Sequence, residues 1–347
     1  MASLAAAGAL CACGSNAAHE SADTGPGSPE GTSSSGGSGG TDDDGGVAVS
    51  SDAMSGVGPD GGGNGSSSGG GSGGGDASVS DASIVDSSTP VLDGGARCKR
   101  GIASNMAPSA AFVPTASSPG IVWWYNWSNQ GSSGSTGIEF DPMIWGSGSL
   151  SATIPAGSKY LLGFNEPNFK AQSDLTDMQA AADWPMVEAK ANGIPLVSPA
   201  VNFCGSSSNS SGCTDPNVTD PYTYLKDFFS DCSGCEVDYV AVHWYNCDLP
   251  SLRAYIDGNE DAGGTLQGFT QFKKPIWLTE FSCDTTHSVA DQQAYMEAAV
   301  PYLESNPNVF RYSWFSASGI PNAVLMNSDG SLTALGTTYV GLAEACR

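Results

Sequence analysis

The sequence predicts an α/β fold, specifically a (β/α)8 TIM barrel preceded by a disordered Gly/Ser-rich linker. Two observations lead to this prediction. Apolar strand-like segments alternate with amphipathic helical segments over about 250 residues, a pattern typical of a barrel or a doubly wound sheet. A domain of that length also has the usual size of a (β/α)8 barrel. No GxGxxG motif follows the first predicted strand, which argues against a dinucleotide-binding sheet.

The linker is predicted from the composition of residues 1–96. This part of the chain has no Lys, Arg, Phe, Trp or Tyr, and it holds 25 of the 46 glycines. Such a segment cannot bury enough apolar surface to offset the entropy cost of ordering its backbone. We therefore predict a disordered Gly/Ser/Asp-rich linker over residues 14–96 and one folded domain over residues 97–347.

Residues 1–13 are predicted to be a targeting segment. They are mostly small and apolar, and the stretch from Leu10 to Ser15 resembles a bacterial lipoprotein cleavage box. Cys13 would then carry a lipid that anchors the protein to a membrane. An ordinary secretory signal would leave the protein without a lipid. Both interpretations predict export, either as an outer-surface lipoprotein or as a secreted protein.

The charge of the chain restricts its partners. The formal net charge is −24, and the 24 acidic residues beyond residue 96 outnumber all 12 Lys and Arg residues. Such a surface repels a phosphate backbone, and the sequence contains no basic stripe. We expect no nucleic-acid partner and a neutral substrate rather than an anionic one. The sequence gives no sign of an oligomer, so a monomer is expected.

Eight strand candidates follow one another along the predicted domain. Several are apolar at both odd and even positions, as expected of parallel strands covered on both faces. The candidates are residues 101–104, 121–127, 137–140, 160–164, 196–201, 237–244, 276–281 and 309–315. Helices are predicted at 177–191, 220–229, 288–305 and 331–345, and the third of these begins with a capping box formed by Ser288 and Asp291.

Eight cysteines lie beyond residue 96, which fits an oxidising compartment. Spacing alone does not fix their pairing. Cys204 and Cys213 lie in one Ser/Gly-rich loop, and Cys247 and Cys283 follow two neighbouring predicted strands. The ends of the domain would be joined by Cys98 and Cys346, which leaves Cys232 and Cys235. The CxxC spacing of that last pair also suits zinc or redox chemistry, but no second CxxC or nearby pair of His residues accompanies it, so we prefer a disulfide.

Two glutamates stand at the carboxyl ends of predicted strands. Glu166 follows the fourth strand candidate, where Pro167 stops the strand, and Glu280 lies at the end of the seventh. The carboxyl ends of all strands of a (β/α)8 barrel face one mouth, where catalytic groups collect. A pair of carboxyl groups is what glycosidic bond cleavage requires. A lone Glu at such a place more often caps a helix or pairs with Arg, but two at one face predict a glycosidase.

Three segments of the chain resemble glycoside hydrolase family 128, which belongs to a clan of retaining (β/α)8 enzymes. They are the segments 163–168 (GFNEPN), 277–281 (WLTEF) and 328–336 (SDGSLTALG), and the resemblance extends over about residues 99–345. It implies that Glu166 is the acid/base, that Glu280 is the nucleophile and that Asn165 binds the sugar 2-hydroxyl. It also implies β-1,3-glucan as substrate, cleaved by double displacement with endo action, and no cofactor or metal.

Further site residues are expected on the strand ends beside the two glutamates. The seventh strand should have the sixth as its neighbour, so His243 or Tyr245 could orient Glu280. Trp244 and Trp314 stand near predicted strand ends and resemble the sugar platforms of the clan, since flat rings stack on sugar faces. Asn126 and Trp127 are candidate glucan contacts. Trp123 and Trp277 are expected in the core.

Three alternatives remain open from the sequence alone. The first is an enzyme of the same clan that cleaves another β-glucan or a mannan. The second is a non-catalytic glycan-binding lipoprotein, although the presence of both glutamates and Asn165 argues against it. The third is a metal hydrolase, for which His243 and His287 make a poor ligand set because the remaining His19 lies in the linker.

Overall fold

The structure of the chain, a computed structural model, describes residues 99–131, 136–205, 208–258 and 268–342. The predicted targeting segment 1–13 with Cys13, the linker 14–96 and the Cys98–Cys346 pair lie outside the described residues. All that follows refers to the described ranges, which belong to one compact unit of the chain.

Parallel β-strands form the centre of the fold, as the both-sided apolar pattern predicts. Six strands make one sheet in the order β3-β2-β1-β8-β7-β6, and β4 pairs with β5. Each predicted segment overlaps one strand. The strands are β1 Arg100–Ala103, β2 Trp123–Tyr125, β3 Glu139–Phe140, β4 Leu161–Leu162, β5 Leu196–Val197, β6 Val240–Trp244, β7 Ile276–Phe281 and β8 Val309–Phe315.

Isolated parallel bridges link the two sheets at both of their edges. Met143, three residues after β3, pairs with Leu162 of β4. Val197 of β5 pairs with Tyr239, immediately before β6. Each strand is therefore bridged directly, or through its flanking residues, to the strand that follows it in the chain, and β8 is paired with β1. The molecule is thus an α/β protein built on parallel strands.

Within the described residues, four α-helices lie between the later strands and a fifth follows β8, and most begin close to where the sequence predicts. They are α1 Asp177–Ala191, α2 Pro221–Asp231, α3 Leu249–Asp257, α4 Val289–Ser305 and α5 Ala334–Gly341. The predicted capping box of α4 is present: the Ser288 hydroxyl accepts from the Asp291 N–H, and the Asp291 carboxylate accepts from the Ser288 N–H. Helix α3 was not predicted, because its nine residues begin beside Pro250 and give only a short apolar stripe.

Apolar residues of the strands separate into two clusters by their alternation along the chain. In β2, Trp123 and Tyr125 lie in one cluster, and Trp124 lies in the other, which also contains the buried residues of the helices. Successive side chains of a strand point to opposite faces of the sheet, which produces this separation. We call these the inner cluster, with Trp123 and Tyr125, and the helix-facing cluster, with Trp124. Trp123 and Trp277 are fully buried in the inner cluster, as predicted.

Three of the predicted cysteine pairs form disulfide bonds. They are Cys204–Cys213, Cys232–Cys235 and Cys247–Cys283, with Cα–Cα distances of 5.1, 5.4 and 4.8 Å. Disulfides of this kind persist in oxidising surroundings, which indicates an extracellular protein. None of the helices in the described ranges combines the length and the apolar character that crossing a bilayer requires.

Candidate active site

Glu166 lies just beyond β4, in a turn that brings its side chain into the interior. The residue is 2% exposed, and its backbone has a φ of 39°, in the left-handed region that few residues other than glycine adopt. The turn is held by hydrogen bonds from the Glu166 N–H to the Ala200 carbonyl (2.7 Å) and from the Phe169 N–H to the Glu166 carbonyl (3.0 Å). Gly163 allows the preceding strand to approach β5, because a Cβ there would lie 2.8 Å from the Val197 carbonyl oxygen.

Glu280 lies in β7, one residue before the end of the strand, and three side chains donate hydrogen bonds to its carboxylate. The Trp127 indole donates to Oε1 at 2.6 Å, the Tyr125 hydroxyl donates to the same oxygen at 3.1 Å, and the Tyr245 hydroxyl donates to Oε2. Tyr125 and Trp127 come from β2 and the residues after it, and Tyr245 follows β6. The carboxylate is thereby held from both sides of its strand.

His243 joins the two carboxylates. Its Nδ1 lies 3.0 Å from Oε1 of Glu166 and 3.3 Å from Oε2 of Glu280. The residue is fully buried in β6, directly opposite Glu280 in the β6–β7 register. Strand alternation places His243 and Tyr245 on the same side, so both reach the glutamates, as the sequence predicts for one or the other of them.

Burial and neighbouring charges together shift the pKa values of Glu280, His243 and Tyr125. Burial raises the pKa of Glu280, and the charge of Glu166 adds to this, while the His243 charge and the hydrogen bonds from Tyr245 and Trp127 work against it. Burial lowers the pKa of His243, but the negative charges of Glu280 and Glu166 outweigh it, so the pKa is raised. Burial, followed by the charge of Glu280, holds the pKa of Tyr125 well above its usual value, so this phenol keeps its proton and donates.

Two asparagines lie beside Glu166. The Nδ2 of Asn202, a buried residue that follows β5, donates to Oε1 of Glu166 at 3.3 Å. Asn165 is 4% exposed and donates through Nδ2 to the Gln172 side chain at 3.4 Å, while its Oδ1 makes no hydrogen bond within the described residues. Asn165 therefore presents a buried, unsatisfied acceptor next to Glu166.

The aromatic residue of β8 that lines this site is Phe315. Its ring packs against Trp127 at 5.7 Å and against Tyr245 at 5.5 Å between centroids, so it supports two of the donors to Glu280. Trp127 has a φ of 58°, which turns its indole toward the carboxylate. The predicted glucan contact at Trp127 is thus beside the glutamates. Asn126 instead closes a turn, through contacts with the Gln130 carbonyl and the Ser128 N–H.

The predictions of sugar platforms at Trp244 and Trp314 are wrong. Trp314 is fully buried in the helix-facing cluster, where its indole donates to the Ala323 carbonyl at 2.8 Å. Trp244 is 7% exposed in the same cluster and packs on Tyr255 at 4.8 Å. Each stands one position away from a residue that faces the glutamates, so alternation turns it toward the helices.

Sequence reasoning missed three residues of this site, namely Tyr125, Asn202 and Phe315. The odd–even alternation of side chains along a strand would have found two of them. Tyr125 shares its face with Trp127, and Phe315 lies on the opposite face from Trp314. Asn202 has no comparable signal, because it belongs to an irregular segment after a strand of two residues.

The same three side chains offer donor atoms that could hold a metal ion. One atom each from Glu166, His243 and Glu280 lies within 4.8 Å of the other two, and all three residues are buried. One imidazole and two carboxylates are ligands that zinc accepts.

The sequence family that the chain matches agrees with a site made of two carboxylates and a shared imidazole at the ends of parallel strands. Residues 101–339 match the sequence family described as glycosyl hydrolase catalytic core. The chain belongs to this family. Its members hydrolyse glycosidic bonds, and the predicted resemblance to glycoside hydrolase family 128 is confirmed by solved structures of that family.

Two of those structures illustrate the similarity. A subgroup II endo-β-1,3-glucanase of family 128 from Sorangium cellulosum is 38% identical, with a TM-score of 0.59, over 71% of this chain and 99% of the other. A subgroup III curdlan-specific exo-β-1,3-glucanase of family 128 from Blastomyces gilchristii, solved with glucose, is 26% identical, with a TM-score of 0.52, over 70% of this chain and 97% of the other.

A curated relative is longer than this chain. Alkali-sensitive linkage protein 1 of Schizosaccharomyces pombe is 30% identical over 261 residues. The alignment covers 70% of this chain but only 44% of the yeast protein. The chain thus spans less than half the length of the curated relative that it matches.

Proposed function

We propose that the chain is a retaining, endo-acting β-1,3-glucanase in which Glu166 is the acid/base and Glu280 is the nucleophile. The observation that carries this proposal is the approach of an oxygen of Glu166 to within 4.8 Å of an oxygen of Glu280. Carboxyl groups about 5–5.5 Å apart are typical of retaining glycosidases, whereas inverting enzymes separate them by about 6.5–9.5 Å to admit water. The short separation favours double displacement.

In the first step, Glu280 attacks the anomeric carbon while Glu166 protonates the glycosidic oxygen, which leaves with the reducing-end fragment. In the second step, Glu166 takes a proton from water, which attacks the glycosyl-enzyme and releases Glu280. The three donors to Glu280 favour its ionised form and aim it, as a nucleophile requires. The unsatisfied Oδ1 of Asn165 supports a contact with the sugar 2-hydroxyl, which can donate to it.

The substrate is proposed from the two solved relatives, both of which are named β-1,3-glucanases. Since one is named an endo- and the other an exo-acting enzyme, the endo action of this chain rests on the more similar of the two. A neutral glucan also suits an acidic chain better than an anionic polymer does.

The proposed architecture is a (β/α)8 barrel. Support comes from the parallel pairing of β8 with β1 and from the bridges Met143–Leu162 and Val197–Tyr239, which together connect the eight strands into a ring. Such a ring brings the carboxyl ends of β4 and β7 to one mouth. Export is proposed with it, either as a secreted protein or as a lipoprotein anchored through Cys13, together with a monomeric state.

The decisive experiment is hydrolysis of laminarin by the full chain beside Glu166→Gln and Glu280→Gln. We expect cleavage by the native protein, a product distribution that contains oligosaccharides longer than glucose, and an initial product with the β-anomeric configuration. Both variants should lose at least about 10³-fold in kcat/KM, since each lacks a group that acts in the transition state.

The matched control is Glu297→Gln, which changes an exposed glutamate of α4 that contacts Gln293. It should cleave laminarin at the native rate. Release of glucose alone would reject endo action, and an initial α-anomer would reject the retaining mechanism. Binding of laminarin without cleavage would favour a glycan-binding protein, and cleavage of a mannan or another β-glucan in its place would reject only the substrate.

A metal-dependent hydrolase is the second candidate, because Glu166, His243 and Glu280 place their donor atoms close together. In the retaining mechanism these residues need no metal. We therefore expect laminarin hydrolysis to be unchanged after prolonged dialysis against EDTA. Loss of activity in EDTA, with recovery on addition of Zn²⁺, would favour the metal-dependent reaction.

A further inference from the structure

We propose that Asn202, held in place by Asn168, is a positioning residue that fixes which oxygen of Glu166 exchanges the proton. This inference rests on the proposed function, in which Glu166 is the acid/base. It assigns a role to the second asparagine of the GFNEPN segment and to a residue after β5 that no sequence motif includes.

The orientation of the Asn202 side chain is fixed by its own neighbour. Its Oδ1 accepts a hydrogen bond from the Phe203 N–H at 2.8 Å. An amide oxygen can only accept and an amide nitrogen can only donate, so this contact leaves Nδ2 for the other side. That nitrogen donates to Oε1 of Glu166 at 3.3 Å.

Asn168 fixes the backbone of Asn202. The Nδ2 of Asn168 donates to the Asn202 carbonyl at 2.6 Å, and both residues are buried. This arrangement leaves Oδ1 of Asn168 without a hydrogen bond in the described residues, although the side chain is only 1% exposed. A buried acceptor left unsatisfied lowers the stability of the folded chain. A side chain that only filled space would carry no such cost.

The loop closed by the Cys204–Cys213 disulfide holds Asn168 from the other side. Thr214, the residue after Cys213, donates its N–H to the Asn168 carbonyl at 2.9 Å, and its hydroxyl donates to the Pro167 carbonyl at 2.9 Å. Cys213 itself forms an antiparallel bridge with Phe169. Cys204 lies two residues after Asn202. The disulfide therefore ties together the two segments that carry Asn168 and Asn202.

Both contacts to the Glu166 carboxylate fall on the same oxygen. Asn202 Nδ2 and His243 Nδ1 each approach Oε1, at 3.3 and 3.0 Å. An asparagine amide neither gains nor loses a proton near neutral pH, so it can hold Oε1 in both steps of the reaction. We infer that Oε2 is the oxygen that delivers the proton to the leaving group and later receives it from water.

The test compares two substrates with the variant Asn202→Ala. Laminarin has a poor leaving group that needs the proton of Glu166, whereas 2,4-dinitrophenyl β-laminaribioside releases an anion that needs none. For laminarin we expect kcat/KM to fall by about 10- to 100-fold, since a hydrogen bond to a charged group is lost. The pre-steady-state burst of dinitrophenolate, which reports the first step alone, should stay within about threefold of the native rate.

Asn168→Ala should show the same selective loss, because it acts through Asn202. The matched control is Asn217→Ala, an exposed asparagine of the same region whose side chain contacts Asp215, and it should leave both rates unchanged. If Asn202→Ala does not fold, Asn202→Ser replaces it, since the shorter hydroxyl can still accept from the Phe203 N–H but no longer reaches Glu166.

Two outcomes overturn the inference. Equal losses on both substrates would mean that Asn202 supports the site as a whole rather than the proton transfer of Glu166. Native rates on laminarin would mean that the contact has no catalytic consequence. The proposed function is judged separately by the native protein: if it cleaves neither substrate, that function fails before any variant is compared.

Discussion

The ionisation of the Glu280 carboxyl group depends on the side chains around it. Burial raises the pKa of this carboxyl, and His243 with the donors Tyr245 and Trp127 opposes that shift. Since His243 is fully buried between the two glutamates, its own proton is held by their charges. The protonation of His243 and that of Glu280 are therefore coupled, and a change in one alters the other.

Replacing His243 should move the acid side of the pH–activity profile. In His243→Gln the positive charge that lowers the pKa of Glu280 is absent, so the pKa of Glu280 rises further. The carboxylate is then lost at a higher pH as the solution is acidified, and the acid limb of kcat/KM on laminarin should shift upward. His287→Gln, in which the replaced imidazole contacts Asp284 instead, is the control. An acid limb that stays in place or moves downward in His243→Gln would contradict this account.

The sequence could identify the two glutamates and the histidine that the structure brings together, but not all of the residues that hold them. Glu166, Glu280 and His243 stand at strand ends, where the direction of a parallel strand alone predicts their meeting. Asn202 lies in an irregular segment, and its contact with Glu166 depends on a turn with a φ of 39° at the glutamate. Neither the turn nor the segment has a periodicity that the sequence displays.

At the scale of the strand, the alternation of side chains between the two faces decides which aromatic residues reach the site. All eight predicted strands are present, and residues 276–281 and 309–315 coincide with β7 and β8. The error at Trp314 came from selecting a residue type, tryptophan, without following the alternation from Ser313, whose hydroxyl reaches inward to the Thr279 carbonyl. Following it would have selected Phe315 in place of Trp314.

Substitutions at these two adjacent positions should separate stability from activity. Trp314→Phe removes a buried indole N–H bond and some packing, so we expect a loss of about 2 kcal/mol in the free energy of unfolding. Its kcat/KM on laminarin should stay within about twofold, because no contact to the glutamates changes. Phe315→Ala removes the support of Trp127 and Tyr245 and should lower kcat/KM at least about tenfold. Urea unfolding and initial rates measure both effects, and the reverse pattern would contradict the assignment of faces.

The Cys247–Cys283 disulfide joins the chain just after β6 to the chain just after β7. It closes a loop with a sequence separation of 36 residues, and a cross-link of that span restricts the unfolded chain by about 2–4 kcal/mol. The double variant Cys247→Ser, Cys283→Ser should lose this amount in urea unfolding. The pair Cys232→Ser, Cys235→Ser closes a loop of only three residues in separation and should lose less. A larger loss for the second pair would contradict the prediction.

At the scale of the whole molecule, the fold class follows from composition and alternation, while the lengths of the elements do not. The strands β3, β4 and β5 have only two residues each, shorter than the predicted segments. Hydrophobic alternation marks where a chain is extended and buried, but hydrogen-bonded pairing also depends on the twist and spacing of the neighbouring strands. The predicted division of the chain into residues 1–13, 14–96 and 97–347 stays a prediction.

Removal of residues 1–96 should leave the enzyme intact. That segment has no Phe, Trp or Tyr, and the side chains proposed to act in catalysis all lie beyond residue 124. We expect the 97–347 fragment to unfold cooperatively and to cleave laminarin with a kcat/KM within about twofold of the full chain. A fragment that is unfolded, or folded but inactive beside an active full chain, would show that the first 96 residues belong to the catalytic unit.

The left-handed backbone of Glu166 has a consequence for the evolution of the chain. A residue other than glycine held in that region costs roughly 1–3 kcal/mol, and glycine would adopt the same turn without that cost. Selection for robustness alone would therefore replace Glu166, and with it the carboxylate. In a related protein that no longer needed to hydrolyse its substrate, we expect glycine to replace Glu166 because it makes the turn more stable. Retention of Glu166 in a related sequence would therefore indicate that the activity is still under selection.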